Sequence, residues 1–520
     1  MRATSIGHAG IFVETDNGSI LCDPWFVPAF FGSWFVFPRN DRLPARVQAA
    51  IERPDYLYIS HLHADHLDLA FLEHHVARSA RVLLPGFPTD ELEHTLRGIG
   101  FERFVQTRHA ERVSLAEGLS VTIHVETSIT DGPGGDSALV VDTPQARLLN
   151  MNDCRLHDLA AITADRAVDL HWLQYSGAIW YPMVYDLPEA TKRELVHQKV
   201  EAQSARAQRY IESVAARVVV PSAGPPCFLD PELFHLNVID GDELSIFADQ
   251  ASFQRRLEAA GTTRAVLTVP GTAFEVTAAG ISHSHPFTDE EVRAIFEDKR
   301  AYLEAYARDW APWLAEERAR QRRAGRTDLV SELKSWWEPL LAAAPTLRSA
   351  VGANVLIRAG DVAILVDFPA GEVKAHHDEP YGFSFTIARD LVEIVVGARA
   401  VDWSNALFLS CRFEAWRAGD FNEYLYNFFK SLSSGRIVRA EAEARWKLAP
   451  PPPSEEIEIG GYLVERWCPH RRADLSVFGE ACDGVLTCHL HGWQFDLETG
   501  RCLTSDDRKL RVRKADAPAS

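Results

Sequence analysis

Along the first 280 or so residues, short apolar runs alternate with amphipathic stretches. "RVLLPG" from Arg81, "ARLLNMND" from Ala146 and "ARVVVPSAG" from Ala216 each read as a buried strand that ends in a polar or glycine-containing loop. Between the last two lies "EATKRELVHQKVEAQSARAQRYIESVAA", 189 to 216, whose apolar positions recur at helical spacing and predict one long helix. The pattern is that of an α/β domain with its functional residues on loops at strand ends. "TDGPGGD", 130 to 136, is glycine-rich but lacks the Lys-Ser/Thr and helix of a phosphate loop, and reads as a hairpin turn.

The pattern changes at Thr288. "TDEEVRAIFEDKRAYLEAYARDWAPWLAEERARQRR" opens with a capping box from Thr288 to Glu291 and predicts a long charged helix. Strand-like alternation follows in "ANVLIRAGDVAILVDFPAG", then helical segments around "ARDLVEIVVG" and "FNEYLYNFFKSL". The four prolines of "APPPPSEE", 449 to 456, predict an extended spacer before a small last domain. The expected organisation is a catalytic domain over 1–285, an α+β domain over 286–448, a linker over 449–456 and a C-terminal domain over 457–520.

Length agrees, since 520 residues exceed what one core accommodates. A net charge of -19 argues against a nucleic-acid partner, because phosphate backbones attract clustered Lys and Arg. No apolar run reaches 18 residues and the N-terminus has no signal-peptide pattern, so no membrane and a cytoplasmic location are expected. Eight cysteines spread over so long a chain point to reduced thiols and metal ligands rather than a disulfide scaffold, and four of the eight fall at 468 or beyond.

Two clusters carry chemistry. In "ISHLHADHLD", 59 to 68, His61, His63, Asp65 and His66 follow a predicted strand. On an extended loop His61 and His63 reach one metal ion, and Asp65 with His66 a second beside it. In "ERWCPHRRADL" and "TCHLHGWQFD", Cys468 and His470 are followed, after seventeen intervening residues, by Cys488 and His491. Two cysteines and two histidines suit either structural zinc or an iron-sulfur cluster. Gly492 lets the second loop turn, and Trp493 with Phe495 backs it. "HSH" at 283 to 285 and "HHDE" at 376 to 379 sit at a helix start and in a turn, and are not expected to bind metal. His171 and His197 read as a core and a surface histidine.

The C-terminal loops resemble the Rieske iron-sulfur family over residues 456 to 510. The resemblance implies a [2Fe-2S] cluster with one iron on Cys468 and Cys488 and the other on His470 and His491. The first cluster, with "GHAGIFVET", "LCDPWF" and "LLNMNDC", resembles the metallo-β-lactamase superfamily over residues 1 to 280. The middle segment is faintly similar to sterol-carrier-like domains. The implied fold class is α/β: an αββα metallo-β-lactamase fold, then an α+β domain and a small all-β Rieske domain.

That superfamily resemblance makes Asp153 the metal-bridging aspartate, puts His8 close to the metals and leaves two ligands to find. Near "VTIHVETSITDG" the candidates are Glu126 and His124; the first is favoured by similarity to di-iron β-hydroxylases of chloramphenicol biosynthesis. After "PSAGPPCFLDPELFHLN" they are His235 and, as the alternative, Asp230. "PSAGPPCFLD" and "QYSGAIWYP" also resemble cytidine monophosphate N-acetylneuraminic acid hydroxylases, which carry their Rieske part at the other end. The aromatic loops 23 to 38 and 176 to 185 either roof the site or pack the core.

A Rieske cluster moves single electrons and a hydrolase has no use for them, so the expected activity is a di-iron monooxygenase. It would activate O2 with two non-haem irons to hydroxylate or N-oxygenate a small-molecule substrate. The alternative is a binuclear zinc hydrolase whose Rieske domain senses redox state or docks a partner. No dinucleotide-binding motif is present, so electrons are expected from a ferredoxin or flavodoxin with its NAD(P)H reductase. Arg471 and Arg472 are candidates for docking that donor. A homo-oligomer is expected by analogy with Rieske oxygenases.

Overall fold

The computed structural model describes all residues except 127–133, 157–158, 263, 323–326, 450–454, 471, 491, 505–507 and 516–520. The "TDGPGGD" turn is therefore described only from Gly134, and the four linker prolines lie outside the described residues.

The first strands are β1 (Arg2–Gly7), β2 (Gly10–Thr15), β3 (Gly18–Cys22), β4 (Tyr56–Tyr58), β5 (Arg81–Leu84) and β6 (Phe104–Gln106). Next come β7 (Arg112–Ala116), β8 (Leu119–Glu126), β9 (Asp136–Asp142), β10 (Arg147–Asn152), β11 (Leu170–Gln174) and β12 (Val218–Ser222), then β13 (Ala273–Thr277) and β14 (Gly280–Ser284). They form an eight-stranded sheet in the order β14-β13-β1-β2-β3-β4-β5-β6 and a six-stranded sheet in the order β12-β11-β10-β9-β8-β7. The inner faces meet in one core that takes Ile11, Val13, Tyr58 and Leu83 from the first sheet and Val121, Ile123, Leu139 and Leu148 from the second. On the outer face of the first sheet, helices Leu69–His75 and Glu91–Gly98 cover Leu57, Ile59 and Val82. This is the αββα layering of the metallo-β-lactamase fold.

The three quoted runs form β5, β10 and β12, and the long helix spans Glu189–Val214. Both halves of the capping box are made: Glu291 N–H donates to Thr288 Oγ1, and Thr288 N–H donates to Glu291. The helix it opens is not continuous, however. It stops at Glu297, Asp298 leaves helical geometry at φ −108° and ψ 43°, and a second helix runs Lys299–Gln321.

Leu303, Tyr306 and Leu314 of that second helix share a core with Phe35, Phe37 and Leu229, within a compact unit of Met1–Met183, Tyr210–Arg320 and Asn405–Cys411. The aromatic loop 23 to 38 is mostly this packing, since the Phe35 ring lies edge-on to Tyr306, Trp310 and Trp313.

The second unit contains β15 (Asn354–Ala359), β16 (Val362–Asp367), β17 (Glu372–Ala375), β18 (Phe383–Ile387) and β19 (Phe413–Arg417), a five-stranded sheet in the order β17-β16-β15-β18-β19. Its helices include Leu329–Ala343, Arg389–Gly397, Glu423–Phe429 and Ser434–Leu448. The last strands are β20 (Glu456–Ile459), β21 (Tyr462–Glu465), β22 (Gly479–Cys482), β23 (Val485–Cys488), β24 (Trp493–Asp496) and β25 (Val512–Lys514), in two three-stranded sheets, β20-β21-β25 and β22-β23-β24. Among the described residues no helix is long and apolar enough to cross a membrane.

Candidate metal centre and Rieske loops

The parallel strand β4 delivers the chain to Ser60, where the ladder ends and the backbone turns through His61 to Asp68. Asp68 caps the next helix by accepting from Phe71 N–H at 2.9 Å, and its other oxygen accepts from Val27 N–H at 2.7 Å. The turn between is thereby anchored at its far end.

Within it His61, Asp65 and His66 are all buried, and His61 Nε2 lies 2.8 Å from His63 Nδ1. Two nitrogens on one ion with bonds of ~2.0–2.1 Å stand about 3 Å apart, so this pair has the spacing of shared ligands. Two groups of side chains bring their ligand atoms within 4.8 Å of one another: His61, His66 and Asp153, and His8, Asp65 and His66. His66 belongs to both.

Charges inside this pocket oppose one another. Burial disfavours the ion on His66, yet Asp153 and Asp65 outweigh it and hold that imidazole well above its usual range. Burial likewise pushes Asp65 up, and the neighbouring His66 and His8 reverse this and hold it low. Asp153 behaves the same way, held down chiefly by His66. For His61 the balance goes the other way: burial, then the nearby His66, outweighs Asp153, Asp23 and Asp65 and lowers it to about 4. His66 thus stands among carboxylates that favour a proton on its ring. Asp65 Oδ1, His66 Nε2 and Asp153 Oδ1 are buried without a hydrogen-bond partner among the described residues. His66 Nε2 stands 3.5 Å from Asp153 and 3.9 Å from Asp65, too far to satisfy either. Such a donor set fits a dication, which would displace that proton.

A further layer orients the ligands. Asp23, fully buried at the end of β3, faces His66 Nδ1 at 3.1 Å and accepts from Ser60 N–H at 2.7 Å and Asn152 Nδ2 at 2.6 Å. A carboxylate on one imidazole nitrogen leaves the other for metal. His8 Nε2 lies 3.1 Å from Asp65, and the Trp25 ring stands edge-on to His8 at 4.9 Å. Trp25 is the part of the aromatic loop that reaches this cluster.

Glu126 ends β8 directly opposite Asp136, the first residue of β9. Asp136 Oδ1 lies 3.2 Å from His61 Nδ1. Directly opposed residues share a face with Cβ atoms about 4.5–5.5 Å apart, so Glu126 stands beside the carboxylate that touches His61. His124 pairs with Ala138, two rungs further along, and its ring lies edge-on to His109. Asp136 was not foreseen; its signal was an aspartate where a glycine-rich turn opens a strand.

The structure brings neither candidate for the last ligand to the cluster. His235 is exposed on the short turn Phe234–Leu236, and Asp230 is paired with Arg318 of the Lys299–Gln321 helix. The loop after β12 packs against that helix, a feature invisible in the local sequence. His171 is a core histidine, fully buried with Nε2 3.1 Å from Met151 Sδ. His285 bonds Thr272 Oγ1 and His376 bonds the Glu379 carbonyl, and neither joins a metal-capable group among the described residues.

In the second unit, Cys468 and Cys488 are fully buried, and none of the eight cysteines forms a disulfide. The first loop closes through Cys468 N–H to the Ala473 carbonyl (2.9 Å) and Arg472 N–H to the Cys468 carbonyl (2.7 Å). The second closes through Gly492 N–H to the Cys488 carbonyl at 2.8 Å, with Gly492 at φ +74°, a conformation side chains disfavour. The His470 ring stacks on Trp493 at 4.0 Å and 10°, which joins the two loops. Two buried thiols and a buried imidazole on converging loops fit the cysteine half and one histidine of a Rieske cluster; His491 lies outside the described residues. Arg471 does too, while Arg472 is exposed with its guanidinium 4.7 Å from the Trp446 ring.

Residues 460–512 match the Rieske [2Fe-2S] domain model, and residues 329–445 match the Rv3818-like, SCP2-like domain. Over 518 residues the chain is 44% identical to Rv3818 of Mycobacterium tuberculosis, a protein named as a Rieske 2Fe-2S iron-sulfur protein, covering 98% of this chain and 99% of that one. The chain belongs to the Rv3818-like family of Rieske iron-sulfur proteins. This family member is also 24% identical over 234 residues to the human inactive cytidine monophosphate-N-acetylneuraminic acid hydroxylase, covering 43% of this chain and 45% of the relative. Among solved structures it is similar to CmlA, a diiron β-hydroxylase from Streptomyces venezuelae, with 17% identity, 55% of this chain and 54% of that chain covered, and a TM-score of 0.33. The faint sterol-carrier likeness of the middle segment thus corresponds to the SCP2-like domain.

Proposed function

We propose that this Rieske protein is a monooxygenase in which His61, His63 and Glu126 hold one non-haem iron and Asp65, His66 and Asp153 hold the second. The reading is carried by one observation: a buried donor set suited to two metal ions occurs in the same chain as a Rieske domain. A one-electron carrier has a purpose beside a redox site and none beside a hydrolytic one. When bound, the [2Fe-2S] cluster supplies electrons singly and the irons supply oxygen activation, so that one oxygen atom enters a C–H or N–H bond of a small molecule.

The chain's own residues prepare that chemistry. Asp23 keeps the Nδ1 proton on His66 and so presents Nε2. Asp136 and Ser60 Oγ face His61 Nδ1 at 3.2 and 3.0 Å, which directs His61 Nε2 toward His63. A carboxylate from Glu126 makes the first site harder and more anionic than a third histidine would, which suits iron that must reach high oxidation states. Trp25 covers His8 and keeps bulk water from Asp65. Electrons arrive from a ferredoxin or flavodoxin with its NAD(P)H reductase.

The deciding experiment is metal and sulfide analysis of anaerobically purified protein, with low-temperature EPR before and after dithionite. About four irons per chain with both a Rieske and a mixed-valent di-iron signal is the expected result. Two irons with two zincs would replace this reading by the zinc hydrolase.

A further inference from the structure

The first Rieske loop is not surrounded by its own domain alone. The helix Glu423–Phe429 belongs to the SCP2-like domain, and every side chain along it is buried, Glu423 among them at 7% exposure. Glu423 Oε2 stands 3.9 Å from His470 Nε2. The same carboxylate pairs with Lys447, whose side chain is 1% exposed, and faces Arg508 at 3.5 Å from its other oxygen. Lys447 closes the helix Ser434–Leu448 and also pairs with Glu443 at 3.0 Å; Arg508 comes from the Rieske domain and donates to the Lys447 carbonyl and to Tyr424.

Charges so buried are costly unless they serve one another, and a chain that wanted only packing there could use apolar residues. Their placement has a direction: Glu423 faces the Nε2 side of His470, which leaves Nδ1 as the nitrogen for iron. At 3.9 Å this is no hydrogen bond, and Glu423 acts on the ligand through the charge it places beside Nε2. Carboxylate charge near the ligand favours the oxidised cluster, and the two cations favour the reduced one, which carries one more electron.

We propose that Glu423 of the SCP2-like domain, with Lys447 and Arg508, sets the reduction potential of the Rieske cluster through the charge these side chains place beside the cluster ligand His470. The SCP2-like domain is then a working part of the electron carrier. This rests on the cluster assignment but not on the di-iron assignment, and the two are separable: a Rieske EPR signal in the wild-type chain tests the first before any variant is made.

The test is a redox titration of full-length wild type, Glu423→Gln, Glu423→Asp and Arg508→Gln, followed by the cluster's EPR and visible circular dichroism. Glu423→Gln is expected to favour reduction at least tenfold, which for a one-electron couple is about 59 mV upward. Arg508→Gln is expected to move the potential down, and Glu423→Asp, which keeps the charge, to stay near wild type. Opposite signs for the two charge removals are an outcome that mere loosening of the fold does not produce. Unchanged potentials, shifts of one sign in both variants, or an Asp variant displaced as far as the Gln variant would overturn the proposal. Should Glu423→Gln fail to hold a cluster, Arg508→Gln decides: a lower potential supports the proposal, and an equal or higher one ends it.

Discussion

The two ligand clusters solve the same problem in opposite ways. The N-terminal donors are gathered by a large scaffold, with β3, β4 and β10 ending and β9 beginning beside the pocket, and carboxylates dominate its charge: Asp65, Asp153 and Asp23 surround the His66 imidazole. The C-terminal donors sit on two short loops of a small domain, held by local hydrogen bonds and a stacked ring, with Glu423 of the SCP2-like domain beside them paired to Lys447 and facing Arg508 of the Rieske domain. Uncompensated carboxylates suit the capture of a hard dication, whereas a cluster held by thiolates is open to tuning by the charge around it.

The strongest way to break that comparison is to remove one ligand from each side. Cys488→Ala is expected to abolish the Rieske EPR signal while leaving the metal content of the N-terminal site intact, and His66→Ala to empty at least the second N-terminal position while the Rieske signal persists. Metal analysis beside EPR reads both, and loss of both centres in either variant would mean they are not independent. Next in size, Glu126→Gln is expected to cost one of the two N-terminal metals, whereas His124→Gln leaves both in place. The reverse result would transfer the ligand role to His124.

Asp23→Asn probes orientation rather than ligation. A weakening of metal affinity by roughly 10- to 100-fold is expected, measured by competition with a chelator. An unchanged affinity would show that His66 does not depend on Asp23. The smallest effect concerns a buried histidine outside either cluster. Burial, then the charge of Arg264, lowers His171 to about 3 from an ordinary 6.5. Between those values the unfolded chain takes up a proton that the folded chain refuses, so stability falls as pH drops through that window. The slope is about 1.4 kcal/mol per pH unit for this one group. His171→Leu should flatten the acid limb of Tm against pH by that amount, and an unaltered limb would assign it to other groups.

How far the site was legible depended on whether its residues are near in sequence. His61, His63, Asp65 and His66 are within six positions of one another, and their chemistry follows from spacing alone. Asp153 stood at the end of a clear strand. Asp136 was hidden because the run before it reads only as a turn, and its role comes from pairing with Glu126 across the β8–β9 ladder. The loop after β12 offered His235 and Asp230, and nothing local told that Arg318, far along the chain, takes the aspartate. The break at Asp298 was equally illegible, since charged helix-formers run through it without a proline or glycine.

By itself, then, the sequence determined the αββα and Rieske architecture and the presence of an electron carrier, and it supplied the candidate donors. These depend on periodicity, strand-end motifs and short ligand spacings, which are local properties of the chain. Only the tertiary structure decided which carboxylate orients His66, which residues approach Glu126, where the Lys299–Gln321 helix packs, and that Glu423 faces His470. Those are contacts between segments tens to hundreds of residues apart. Burial and charge balance select them, and neither is encoded in any single stretch of sequence.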